Sequence, residues 1–340
     1  MKRLVIPLFI IALSLQGCID DYHFDTDMYK RKIVVESFIN PDSVIKVSVA
    51  WNKPGNDTSA VKYIDGAHVQ IEEDGVVIVS GTTDNGTLLS NVYPAAGKSY
   101  HLSVMVEGEE EVTAETSIPP PADISFTTRE KLADKYRYVT YDGIEYVVPP
   151  TYELRYIATD VSDIVIPTEV SAVWIEAYAS YDNGIIYGSE TNELFSSSPY
   201  FDQVNSLGNN SDVLERESSI MYERGFIRIQ RQALSLALPF TFTMEIFYRW
   251  SHFDYVEIDG VGEWITESGL AEQFLLYLTS PSDEYDKYRR SAVKQELAQN
   301  IILFFTNDPV NVFSNIHNGV GIFAGYNTKV VAVPIDNPLQ

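Results

Sequence analysis

The sequence predicts a mainly β protein: an N-terminal immunoglobulin-like or transthyretin-like β-sandwich, then a larger β-rich, sandwich-like domain with one docked helix near the C-terminus. Three observations predict it. Apolar and polar residues alternate at period two in many short runs, which is the signature of half-buried strands. Asp-Gly and Asn-Gly pairs punctuate those runs, and such pairs suit the positive φ of tight hairpin turns. Aromatic and β-branched side chains fill the runs, with 22 Tyr and 16 Phe in the chain, and they favour a pleated surface over a helix.

The chain begins with a targeting pattern. Lys2 and Arg3 precede an almost unbroken apolar run over residues 4–15, the n-region and h-region of a secretory signal. The run is about 12 residues, short of the roughly 20 that a membrane-spanning helix needs, and Pro7 interrupts it. Residues 1–17 therefore read as a signal peptide. Leu15, Gln16, Gly17 and Cys18 resemble the lipobox of bacterial lipoproteins, where cleavage precedes the cysteine and the thiol is lipidated; Gln16 stands where a small residue is usual. Cys18 is the sole cysteine, so no intramolecular disulfide forms, and acylation gives this thiol a use. Residues 18–30 follow as an acidic tether containing Asp20, Asp21, Asp25 and Asp27.

Residues 31–118 carry the predicted sandwich. Ile33, Val35 and Phe38 open one run, Ile45, Val47 and Val49 another, then Val69 with Ile71, and finally Tyr100, Leu102, Val104 and Val106. The pairs Asp65-Gly66, Asp74-Gly75 and Asn85-Gly86 lie at or near run boundaries. About seven strands in some 90 residues fit an immunoglobulin-like module. Pro119, Pro120 and Pro121 then form a stiff extended connector, because proline fixes φ and donates no ladder hydrogen bond. The domain boundary is placed there.

Residues 122–340 continue in the same style. Tyr152, Leu154, Tyr156 and Ala158 alternate, as do Val173, Ile175, Ala177 and Ala179; Phe226, Ile227 and Ile229 form a shorter run, and Phe242, Met244, Ile246 and Tyr248 a longer one. One segment has helical spacing: Tyr285, Tyr288, Ala292, Val293 and Leu297. Ser280 is the expected N-cap, Pro281 the first helical residue and Asp283 an acid at the positive end of the dipole. Residues 190–215 and 307–318, rich in Ser, Asn and Asp, read as loops.

Charge removes some functions. The net charge is −24, and no Lys/Arg stripe exists to release counterions from a phosphate backbone, so nucleic acid is excluded as a partner. An anionic membrane would repel the body of the protein, leaving lipid on Cys18 as the membrane contact. His23, His68, His101, His252 and His317 stand far apart without metal-ligand spacing. No Gly-x-Ser-x-Gly elbow is present. Gly319, Gly321 and Gly325 miss the dinucleotide fingerprint and read as a tight turn with close packing around Phe323. The acidic stretch at residues 160–163 reads as a solvated loop and lacks the EF-hand pattern. The sequence thus shows no catalytic residue, no metal site and no cofactor beyond the lipid on Cys18.

Aromatic faces with polar tips suit recognition. Most of these rings lie on alternating strands and read as core, Trp174 and Tyr248 among them. Tyr187, Phe195, Tyr200, Phe201 and Trp264 fall in loop-like segments and are the candidate ligand-binding residues.

Successive stretches carry a family resemblance: "IVVESFINPDSVIKVSV", "YIDGAHVQI", "YHLSV" with "TSIPPP", "SDEYDKYRRS" and "DPVNVFSNIHNGVGIFAGY". They resemble the lipoproteins of domain of unknown function 4249 (DUF4249), over nearly all of the mature chain. The resemblance implies a Bacteroidota outer-membrane lipoprotein, commonly encoded beside a TonB-dependent transporter, and it carries over no catalytic residue. Asp20 and Asp21 loosely resemble a surface-export signal of that phylum, which implies display on the cell surface. The expected function is a non-enzymatic accessory or ligand-binding protein working with such a transporter in nutrient uptake, its ligand unknown. The rival readings are a structural or adhesive surface lipoprotein and a polysaccharide or peptide hydrolase.

Overall fold

A computed structural model describes residues 30–53, 57–132, 137–141, 144–148, 154–182, 184, 186–188, 194–196, 220–223, 226–247, 249–258, 261–300 and 311–335. The signal, Cys18 and most of the tether lie outside these residues. The first half holds β1 (Ile33–Ile39), β2 (Lys46–Trp51), β3 (His68–Glu73), β4 (Val76–Thr82), β5 (Thr87–Leu89), β6 (Lys98–Met105) and β7 (Val112–Ile118). Next come β8 (Asp123–Leu132), β9 (Arg137–Tyr141), β10 (Ile144–Val148), β11 (Leu154–Val165), β12 (Ala172–Tyr181), β13 (Ile186–Gly188) and β14 (Leu194–Ser196). The remaining strands are β15 (Ile220–Glu223), β16 (Phe226–Gln230), β17 (Phe240–Phe247), β18 (Arg249–Ile258), β19 (Val261–Pro281) and β20 (Val320–Pro334). Helix α1 (Asp283–Asn300) lies between the last two. The protein is mainly β, as its sequence predicts, and no helix among the described residues is long and apolar enough to cross a membrane.

The first sandwich packs the sheet β4-β3-β6-β7 against the β20-β1-β2-β5 end of a ten-stranded sheet. Ile33, Val35, Val47, Val69, Leu102 and Ile118 meet in its core. Asp74 and Gly75, with φ of 48° and 81°, make the two-residue turn from β3 to β4, the geometry that Asp-Gly favours. Phe38 departs from the sequence reading. Strand β1 turns Ile33, Val35, Ser37 and Ile39 inward, so Phe38 lies out of phase on the opposite face. A buried serine at an inward position had hidden that phase.

The second sandwich packs β14-β17-β11-β8 against the β16-β12-β19 portion of the same ten-stranded sheet. Its core joins Ile157, Val173, Ile175, Phe242, Met244 and Phe274. On β11 the phase is again opposite to the expected one: Ile157, Thr159 and Val161 are buried, while Tyr156 and Ala158 are half-buried. Residues 160–163 belong to this strand, which corrects the loop reading. Asp160 accepts from Arg129 Nε at 2.9 Å and Thr241 Oγ1 at 2.6 Å, and the Arg129 bond followed by that of Thr241 holds its carboxyl below the usual range. In residues 190–215, read as loop, the short strand β14 pairs with β17.

The last strand connects the two sandwiches. The first part of β20 runs parallel to β1, from Val34↔Val320 to Ile39↔Gly325. Its second part runs antiparallel to β19, from Pro281↔Tyr326 to Gln273↔Pro334. Ile118 belongs to the first core and Ala122 to the second, so the proline run separates the cores along the chain while β20 makes the sheet continuous across them. The run is also tied down: Asn327 Nδ2 donates to the Pro119 carbonyl at 3.1 Å, and the Ala122 N–H donates to Ser280 Oγ at 2.8 Å.

Glycines permit this close weave. Phe323 is fully buried in the first core. Gly321 has φ of +118°, and a Cβ there would stand 2.0 Å from the Val35 carbonyl oxygen; at Gly325 it would stand 2.2 Å from that of Ser117. Gly321→Ala is expected to cost about 3 kcal/mol or more, combining overpacking against rigid backbone with a strained φ, measured as a fall in the urea midpoint.

Helix α1 starts two residues later than predicted. Pro281 still pairs in the sheet with Tyr326, and Ser282 is the cap, its Oγ accepting the Tyr285 N–H at 3.2 Å. Ser280 is the acceptor for Ala122 instead. The tyrosine face docks on the seam: Tyr285 and Tyr288 meet Phe38 at 5.9 and 5.4 Å, and Tyr285 meets Tyr326 at 4.7 Å between ring centroids. Burial pushes the hydroxyls of Tyr285, Tyr288 and Tyr326 above their ordinary 10.0. Because the folded pKa is raised, this stability is full below pH 10 and is lost as pH rises through the folded value. Urea midpoints are expected to hold up to about pH 9.5 and to fall as the pH rises beyond about 10, and to fall less in Tyr285→Phe.

Candidate ligand cleft beside the helix

The outer face of β12 and β16 builds the site. Trp174 and Arg228 are cross-strand neighbours, as are Glu176 and Phe226. Strand alternation aims Ile227 and Ile229 into the second core, which leaves Phe226 and Arg228 on the face that α1 covers. Helical spacing brings Asp286, Arg289, Arg290 and Val293 down on that face. Arg228 is 2% exposed and Asp286 4%. The Asp286 carboxylate accepts from Arg228 Nε and Nη2, both at 2.7 Å, and from Trp174 Nε1 at 2.9 Å. Arg290 Nε approaches the same carboxylate at 3.3 Å. One turn away, Arg289 forms a two-pronged pair with Glu176 and lies over the Trp174 ring at 4.4 Å. Burial opposes the charge of Arg289, and the Glu176 carboxylate outweighs it, so its pKa is raised.

This polar network floors a cleft of 710 Å³. Residues 168–171 form one wall, Gln230, Arg231 and Gln232 another, and Asp283, Lys287 and Arg290 the helical side. Ser171 Oγ donates to Asp283, and Thr168 Oγ1 to Glu169, each at 3.0 Å. Arg231 Nη2 donates to the carbonyls of Pro167 and Val170. Two buried guanidinium nitrogens, Arg228 Nη1 and Arg231 Nε, have no hydrogen-bond acceptor among the described residues, and Arg290 Nε keeps only its 3.3 Å ion-pair contact with Asp286. Buried donors are nearly always satisfied in native proteins, so this concentration of unmet donors makes the cleft the candidate site. A smaller hollow of 350 Å³ lies across the seam, lined by Asp74, His101, Glu115 and Glu284 among others. No set of three or more His, Cys, Asp or Glu suited to a metal ion occurs among the described residues.

The aromatic candidates fall elsewhere. Tyr187 lies on β13 opposite Ala179, Phe195 on β14 opposite Thr243, and Trp264 on β19 opposite Tyr255; all three lie in strands where loops were expected. Tyr200 and Phe201 lie outside the described residues. Tyr187 and Phe195 stand on different sheets. The cleft residues escaped the sequence reading because Arg228, within "FIRIQ", looks like the solvent side of a half-buried strand, and Asp286 like an ordinary first-turn helix acid. The one available signal was Phe226 beside Arg228 at period two, an apolar neighbour on the same face.

A family model described as "Domain of unknown function (DUF4249)" matches residues 19–330. No curated protein and no solved structure matches the chain.

Proposed function

Starting from a chain that belongs to the DUF4249 family, we propose a lipid-anchored outer-membrane protein, displayed at the cell surface, that binds a ligand and serves a TonB-dependent transporter in nutrient uptake without catalysing a reaction. The observation that carries the binding role is the cleft, which gathers four cations, Arg228, Arg231, Lys287 and Arg290, in a chain of net charge −24. The lipobox-like segment ending at Cys18 supports the anchor. Between Cys18 and the first described residue, Lys30, about 12 residues of tether reach at most about 40 Å, enough to hold the body beside a membrane partner. The family resemblance supports the transporter as that partner.

The test is purification from native membranes in mild detergent with a tag at the carboxyl end, followed by mass spectrometry. A TonB-dependent barrel in near-equal amount is the expected result. Cys18→Ala is expected to move the protein to the soluble fraction. Recovery of the wild-type protein alone would count against the accessory role.

A further inference from the structure

We propose that the cleft is an oxyanion site that takes one carboxylate or phosphate group of a small ligand. The assignment deepens the binding role above and rests on it. Arg228 and Arg290 share a single carboxylate, that of Asp286, and Glu176 is engaged by Arg289. The floor therefore holds one more positive charge than negative among the described residues. Arg228 is buried, lines the cleft and leaves Nη1 without an acceptor. Arg231 spends Nη2 on two neutral carbonyls and has no ion-pair partner, nor an acceptor for its Nε, among the described residues. An oxyanion supplies both missing items, an acceptor for each orphaned N–H and a counter-charge for the floor.

The rim narrows the ligand class. Glu169 and Asp283 stand in the lining beside exposed Lys287. Two carboxylates at the entrance repel a polyanion while leaving room for one oxyanion group. The cleft volume lies within the range typical of small-molecule sites.

The experiment titrates the purified mature chain with sodium phosphate, sodium succinate and sodium chloride at matched ionic strength, by calorimetry and thermal melting. One-to-one saturable binding of phosphate or succinate, with no response to chloride, is expected, and the tighter of the two identifies the headgroup. Arg231→Gln is expected to weaken that binding at least tenfold. Lys287→Gln, an exposed change, is expected to weaken it severalfold and keeps the test open if Arg231→Gln misfolds. Arg129→Gln, on β8 away from the cleft, is expected to bind as wild type does. Absence of binding above chloride, or wild-type affinity in both cleft variants, would overturn the site. Such a failure leaves the membrane copurification untouched, so the two readings fail separately.

Discussion

Residues 31–118 produced alone are expected to be unfolded, and to fold when a segment carrying residues 311–326 is fused or added. The seven strands of that fragment lack the strand that pairs with β1 and lack Phe323 and Ile316 of their own core. Deleting a buried Phe side chain alone costs about 3–5 kcal/mol, against a total stability of about 5–15 kcal/mol for a domain. The missing segment supplies more than that ring. Asn315 donates to the Glu115 and Phe323 carbonyls at 3.0 and 2.7 Å and accepts from the Phe323 N–H at 3.0 Å, and His317 exchanges backbone bonds with Thr113. Without it, the parallel edge of β1 and one side of β7 lose their partners. Circular dichroism and amide proton dispersion check the expectation, and a fragment that folds cooperatively by itself would refute it.

Asp286→Ala should produce the other large effect, a loss of about 3–5 kcal/mol, because it strips the counter-charge and acceptor from a buried arginine. Trp174 Nε1 loses its acceptor in the same step. The cost comes mostly from the stranded charge. A paired replacement, Arg228→Met with Asp286→Leu, is therefore expected to recover most of the stability, as buried pairs exchanged for apolar groups of similar volume usually do. The same double variant should lose anion binding at the cleft. Urea unfolding of the single and double variants separates these outcomes; equal losses in both would mean that the helix docks through the polar network more strongly than its charges alone account for.

Much of the fold was legible because period-two alternation is a local signal. Val47 and Val49, then Tyr100, Leu102 and Val104, then Ile175, Ala177 and Ala179 alternate in the sequence and are buried in the fold. Turn chemistry was legible for the same reason, as the positive φ values of Asp74, Gly75, Asn85 and Gly86 confirm. Phase was harder. Ser37 and Thr159 are buried polar residues at inward positions; Ser37 shifts only Phe38 out of phase on β1, whereas on β11 the whole run faces the other way. The double pairing of β20 was not legible, since parallel pairing with β1 joins segments nearly 300 residues apart and leaves only an apolar stretch with glycines. The glycines did signal close approach; they did not say to what. The cleft was least legible of all, because Arg228 and Asp286 come from separate elements and acquire meaning only when the helix covers the sheet.

One sheet running through both sandwiches, with β20 as its shared member, is the claim on which the placement of the helix and its cleft depends. Hydrogen exchange of the mature chain at increasing urea, read by mass spectrometry over β6 and β12, tests it most directly. Both strands are expected to lose protection at the same urea concentration, and Phe323→Ala in the first core is expected to lower that concentration for both. Separate losses, with β12 unmoved by Phe323→Ala, would contradict it.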